Sequence, residues 1–168
     1  VTRPARTPTG PPPPPAVAKL RVRYARRGRM RFASHRDFQR ALERALRRAG
    51  IPVAFSAGFT PHPRISYAGA APTGTASEAE YLEVALTRPV APQDFQKAVG
   101  AALPTGLDLL EVVEVPVGSP RGGLGEVLEA SVWQIMLPGV DSAAAHEAAA
   151  RFLAASEVPV ERVTREGR

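Results

Sequence analysis

The tightest constraint on what this chain can fold into is the order in which two periodicities alternate along it. Leu20, Val22 and Tyr24 alternate with Lys19, Arg21 and Arg23, the period of two expected of a strand with one apolar and one cationic face. Arg27-Gly28 signals a turn, and Met30 and Phe32 continue as a short second run. The period then becomes helical: Phe38, Ala41, Leu42, Ala45, Leu46 and Ala49 fall at offsets 0, 3, 4, 7, 8 and 11. Ser34 and Asp37 have the spacing of a capping box with Asp in place of Glu, and Gly50 stands where a left-handed residue ends a helix. This predicts a helix near 35–49. Val53–Phe55 reads as a buried strand, Ile65 and Tyr67 resume alternation, and Glu80–Leu86 alternates again. Pro92 opens a second helix, near 92–103, through Phe95, Val99 and Leu103, and Leu107–Val115 is a further strand. Strand–helix–strand–strand–helix–strand is the ferredoxin-like order, an α+β architecture in which an antiparallel sheet is backed by helices.

That unit, residues 19–115, lies between segments of different composition. Residues 1–18, with Pro8 and the run Pro11–Pro15, lack the apolar content to order themselves and read as a disordered tail or linker. Residues 116–127 are rich in Gly and Pro and read as a linker. Within 128–168 the pattern restarts: a strand over Ala130–Leu137, an Ala-rich helix near 142–155 with Asp141 as N-cap, and a strand over Val158–Val163. This matches the opening half of the first unit, so a partial second ferredoxin-like unit is expected.

Charge is split along the chain. Fifteen of the 22 basic residues lie in the first 70 positions, where Asp37 and Glu43 are the only acids. That part carries +13 and the rest −7, for a net +6. Part of the arginine excess is compositional, since 20 of the 22 cations are Arg in a chain rich in Ala, Pro and Gly. A one-sided positive field nonetheless suits a polyanionic partner. Two surfaces concentrate it: the outer face of the first strand, with Arg21 and Arg23, and the outer face of the first helix, with Arg36, Arg40, Arg44, Arg47 and Arg48.

The sequence has no Cys, so it offers no disulfide, no thiolate zinc site and no ligands for an iron–sulfur cluster of its own. Its apolar runs are far shorter than a membrane span and none follows a charged N-terminus as a secretion signal would. A cytoplasmic bacterial protein without membrane association or cofactor of its own is the expectation.

Two histidines carry the remaining chemistry. His35 falls in the first turn of the first helix, and His62 is held between Pro61 and Pro63 in a loop with Phe59, Arg64 and Tyr67. A pair of imidazoles could act as acid and base on RNA without a metal. The plainer alternative is that His35 bonds a backbone carbonyl and His62 packs on Tyr67 or Phe59. Two histidines with only Asp37 nearby are a thin ligand set, so no metal site is expected. Aromatic and cationic groups in one loop suit base stacking beside phosphate contacts, and equally a packed loop.

The segments Arg23-Tyr24, Arg31-Phe32-Ala33-Ser34-His35-Arg36-Asp37-Phe38, Arg44-Ala45-Leu46-Arg47-Arg48-Ala49, Ser56-Ala57-Gly58-Phe59-Thr60-Pro61-His62-Pro63, Pro72-Thr73-Gly74 and Ser77-Glu78-Ala79-Glu80-Tyr81 together resemble the radical-SAM-linked protein family. Members of that bacterial family stand alone or follow a radical SAM enzyme in one chain. The resemblance runs from about Leu20 to the end of the sequence. It implies a radical SAM partner that holds the iron–sulfur cluster and S-adenosylmethionine, and it supplies no activity for this chain.

The expected function is an accessory module that binds transfer or ribosomal RNA and presents it to that partner. Arg21, Arg23, Arg36, Arg40, Arg44, Arg47 and Arg48 would contact phosphates, with Arg64, Tyr67 and His62 at an unpaired segment. The open sheet face, with Arg21, Arg23 and the His62 loop, is the expected main surface, because strands offer flat stacking platforms. The alternatives are a metal-independent ribonuclease or RNA-modifying enzyme using His35 and His62, and a protein-docking module that meets no RNA.

Overall fold

The computed structural model describes residues 11–118 and 123–161. The chain divides into two compact units, one reaching to Ser131 and one beginning at Val132. The first holds strand β1 (Ala18–Arg26), helix α1 (His35–Arg48), strands β2 (Ile65–Tyr67) and β3 (Ser77–Leu86), helix α2 (Pro92–Ala102) and strand β4 (Leu107–Val115). The sheet order is β2-β3-β1-β4 with every neighbouring pair antiparallel. This is the ferredoxin-like α+β arrangement that the element order predicts.

Alternation decides which face is buried. In β1 the side chains of Leu20, Val22 and Tyr24 are at most 3 % exposed, and Leu20 and Val22 stand opposite Val84 and Leu82 of β3. They share one core with Phe38, Leu42 and Leu46 of α1 and Phe95 and Val99 of α2. The helices therefore cover one face, and Lys19, Arg21 and Arg23 point to the other. Helix α1 begins where the capping signal puts it: Ser34 Oγ accepts from the Asp37 N–H at 3.1 Å and donates to the Asp37 carboxylate at 2.7 Å. Beyond its last turn Gly50 takes φ +65°.

Two local expectations are corrected. Met30 and Phe32 do not extend a strand; Gly28–Phe32 is a 3-10 turn, entered through Gly28 at φ +52°. The buried guanidinium of Arg26 donates to the Ala33 carbonyl at 2.7 Å and draws this turn against β1. Val53–Phe55 is not a buried strand either. It makes only isolated bridges, Val53 to Leu86 and Phe55 to Pro63, and Phe55 is 43 % exposed. Pro63, opposite Phe55, has no N–H with which to continue a ladder, and the paired strand begins only at Ile65.

A close approach explains Gly106, which has φ +93° ahead of β4. Its carbonyl accepts from the Arg27 N–H at 2.8 Å, and a Cβ there would lie 2.6 Å from the Arg27 carbonyl oxygen. Gly106→Ala is therefore expected to destabilise the protein by more than about 1 kcal/mol, read as a lower urea midpoint.

In the second unit the expected helix forms as α3 (Ser142–Ala154), with the Asp141 carboxylate accepting from the N–H groups of Ala143 and Ala144. Residues 130–137, expected as a strand, carry no strand among the described residues, because alternation prepares a segment for pairing but does not provide the ladder. The last expected strand, 158–163, runs partly outside the described residues, as does the proline-rich tail 1–18.

Candidate nucleic-acid interface

The cations of the open sheet face are engaged by carboxylates. Glu83 on β3 is 5 % exposed and lies opposite Arg21. One of its oxygens accepts from Arg21 Nη2 at 2.8 Å and Nε at 3.0 Å, and the other from Lys19 Nζ at 3.0 Å. Arg23 pairs with Glu111 of β4 at 3.2 Å. Arg27 bridges Glu78 at 2.7 Å and Asp108 at 2.8 Å. The acidic part of the chain thus folds back onto the first strand, and the four cations Lys19, Arg21, Arg23 and Arg27 each meet a carboxylate.

Burial alone would raise the Glu83 carboxyl; the hydrogen bonds and charges of Arg21 and Lys19 outweigh it and hold the group below its ordinary value of 4.5. The folded state therefore gains stability from the ionised carboxylate above that value and loses it as pH falls through the lowered one. Wild-type stability is expected to fall more steeply below about pH 4.5 than that of Glu83→Gln, measured as urea midpoints across an acid series.

Helix α1 is different. Arg36, Arg40, Arg44, Arg47 and Arg48 are all exposed. Arg40 approaches Asp37 at 4.0 Å, and among the described residues the other four make no ion pair. The largest unpaired positive surface in a regular element is therefore the outer face of α1, not the sheet. Arg64 is also exposed and makes no ion pair among the described residues.

The two histidines are not brought to one cleft. His35 packs edge-on against Tyr67 with ring centroids 5.1 Å apart, and against Phe38 at 6.3 Å. It also shares a 3.0 Å contact with the Gln39 amide. Tyr67 belongs to the same aromatic group, 6.1 Å from Phe38, and Phe38 in turn stacks on Tyr24 at 4.6 Å. Burial pushes the Tyr67 hydroxyl up to about 12, and it pushes that of Tyr24 up further. Tyr67 is thus a packing residue of the helix side rather than a free stacking platform. His62 lines a groove of about 310 Å³ on the open sheet face with Lys19, Arg64, Ser66 and Glu83. Its backbone N–H donates to Ser56 Oγ at 3.0 Å. An acid–base pair on one phosphate needs both rings within reach of it, and this arrangement does not provide that.

Several residues of the site region escaped the sequence pattern. Arg26 and Glu80 are 2 % and 4 % exposed, although a charged residue beside a turn signal reads as surface. Glu80 accepts from the Ala71 N–H at 3.2 Å and so fixes the segment that leads from β2 to β3. Arg31 lies over the ring of Phe32, 4.6 Å from its centroid, on a side chain 59 % exposed. A cleft beside α1, lined by Glu43, Leu46, Arg47, Ile51, Val53, Phe55 and Pro63, had no sequence signal, because it joins α1 to a segment that was expected to be buried strand. Among the described residues no group of three or more His, Asp or Glu could hold a metal ion, and no helix is long and apolar enough to cross a membrane.

Fold and surface together define a ferredoxin-like α+β domain with a cationic helix on its outer layer. The chain belongs to the bacterial family described as "uncharacterized protein conserved in bacteria (DUF2344)", whose model matches residues 19–168. No curated protein matches it.

Proposed function

We propose that this chain is an accessory RNA-binding module that works with a radical SAM enzyme in RNA modification, and that α1 is its phosphate-binding element. The observation that carries the reading is the arginine row of α1, which is exposed and has almost no carboxylate partner among the described residues. Like charges one turn apart repel by a few tenths of a kcal/mol per pair. A phosphate backbone laid along the row relieves that repulsion and releases counterions. Arg64 and the exposed Phe32 and Phe59 add a further cation and aromatic surface suited to unpaired bases.

The radical SAM partner rests on the resemblance of the Ser-His and Pro-His-Pro segments and agrees with a sequence that has no Cys to hold a cluster. The partner would carry the iron–sulfur cluster and S-adenosylmethionine, and this chain would position the transfer or ribosomal RNA. Crosslinking in cells, with sequencing of bound RNA and identification of bound protein, tests both parts. RNA is expected on peptides of α1 and an iron–sulfur protein among the captured partners. Protein crosslinks on α1 with no RNA would replace this reading with a docking module.

A further inference from the structure

The row on α1 is interrupted by one acid. At 100° per residue, Arg36, Arg40, Glu43 and Arg47 fall within about 60° of one another around the helix. Glu43 therefore sits among three arginines, one of them at the i+4 position that favours a Glu–Arg pair. Yet among the described residues it makes no ion pair and no hydrogen bond of its side chain. Glu43 instead lines a cleft with Arg47 and the apolar residues Leu46, Ile51, Val53, Phe55 and Pro63. Burial and, after it, the negative charge of Glu43 raise the half-buried hydroxyl of Tyr67. Phe55, 43 % exposed, lines the cleft with a ring that is partly open to solvent. The cleft is open and holds about 70 Å³, so a planar group would lie half inserted, with one face on apolar surface and one edge toward Glu43.

We propose that this cleft reads an unpaired guanine, with Phe55 under the ring and the Glu43 carboxylate accepting from the base's N1–H and N2 amino group while Arg44, Arg47 and Arg48 hold the flanking phosphates. An ionised carboxylate is a pure acceptor with two oxygens. Among the four bases guanine alone presents two adjacent donors on its Watson–Crick edge, and single-stranded RNA is read on such edges once a base is splayed out. Adenine and cytosine offer one amino donor beside an acceptor that a carboxylate repels, and uracil offers one donor between two acceptors. This inference rests on the RNA reading above and names the base that the same surface selects.

The test is fluorescence anisotropy with a short single-stranded oligouridine carrying one central guanosine, against the same strand with inosine, adenosine, cytidine or uridine there. Guanosine is expected to bind about 10-fold tighter than adenosine or uridine, with inosine, which lacks the N2 amino group, in between. In Glu43→Gln the guanosine preference is expected to vanish while the all-uridine strand binds as well or better, because an acid has been removed from a cationic face. Phe55→Ala is expected to weaken the guanosine strand selectively. Equal affinity for all strands, or a preference unchanged in Glu43→Gln, overturns this inference and leaves the RNA reading standing. Absence of binding by every strand overturns both.

Discussion

Phe38→Ala is expected to destabilise the ferredoxin-like unit by about 3–5 kcal/mol, a large part of the stability of a small domain. Phe38 is 2 % exposed and is the residue through which α1 grips the sheet. Its ring stacks on Tyr24 at 4.6 Å with planes 6° apart, and Tyr67 meets it edge-on at 6.1 Å. Truncation removes apolar burial, leaves a cavity at the start of α1, and loses the aromatic contacts with both neighbours. His35 rests on the same group, so the first turn of the helix loses its floor. Urea unfolding followed by far-UV circular dichroism measures the loss. Phe32→Ala is the control: that ring is 59 % exposed and its removal should stay within about 0.5 kcal/mol. Equal effects from the two substitutions would contradict the packing described for α1.

Replacing Arg44, Arg47 and Arg48 together with Gln is expected to weaken RNA binding about 100-fold at about 0.1 M salt, if each holds one phosphate and each contact contributes about 0.7 to the salt slope. The three side chains are exposed and unpaired among the described residues, so their removal breaks no internal ion pair. Gln keeps the helix propensity close to that of Arg, and the like-charge repulsion it relieves offsets the two cations it takes from the last turn, so α1 should stay helical. Circular dichroism at the helix band, unchanged or stronger, then assigns the loss of binding to charge and not to unfolding.

The fold was legible because its signals are local and repeated. The alternation of Leu20, Val22 and Tyr24, the helical spacing from Phe38 to Leu46, the Ser34–Asp37 cap and Pro92 each act within one turn or one strand, and the structure follows them closely. Val53–Phe55 misled because apolar composition does not reveal that a proline will face the segment across the gap. The charged surface was only half legible. A count along the chain shows where cations are but not which acids return to them. Glu83 lies 62 residues from Arg21, and Glu111 lies 88 from Arg23. Those pairings follow from the β2-β3-β1-β4 order, so the open sheet face that was expected to be the main RNA surface is the one the fold neutralises. The helix row kept its charge because the positions one turn away are themselves mostly arginine. Tyr67 likewise reads as a loop aromatic until the register of β2 turns it toward Phe38.

The most direct test of the central claim is the dependence of single-stranded RNA affinity on salt for three proteins: the wild type, the Arg44/Arg47/Arg48→Gln variant and an Arg21/Arg23→Gln variant. The magnitude of the logarithmic slope is expected to fall by about 2 in the helix variant, about 0.7 for each lost phosphate contact, and to stay near the wild-type value in the strand variant, whose arginines are held by Glu83 and Glu111. A slope that falls only in the strand variant would show that RNA lies on the sheet and that α1 is not the binding element.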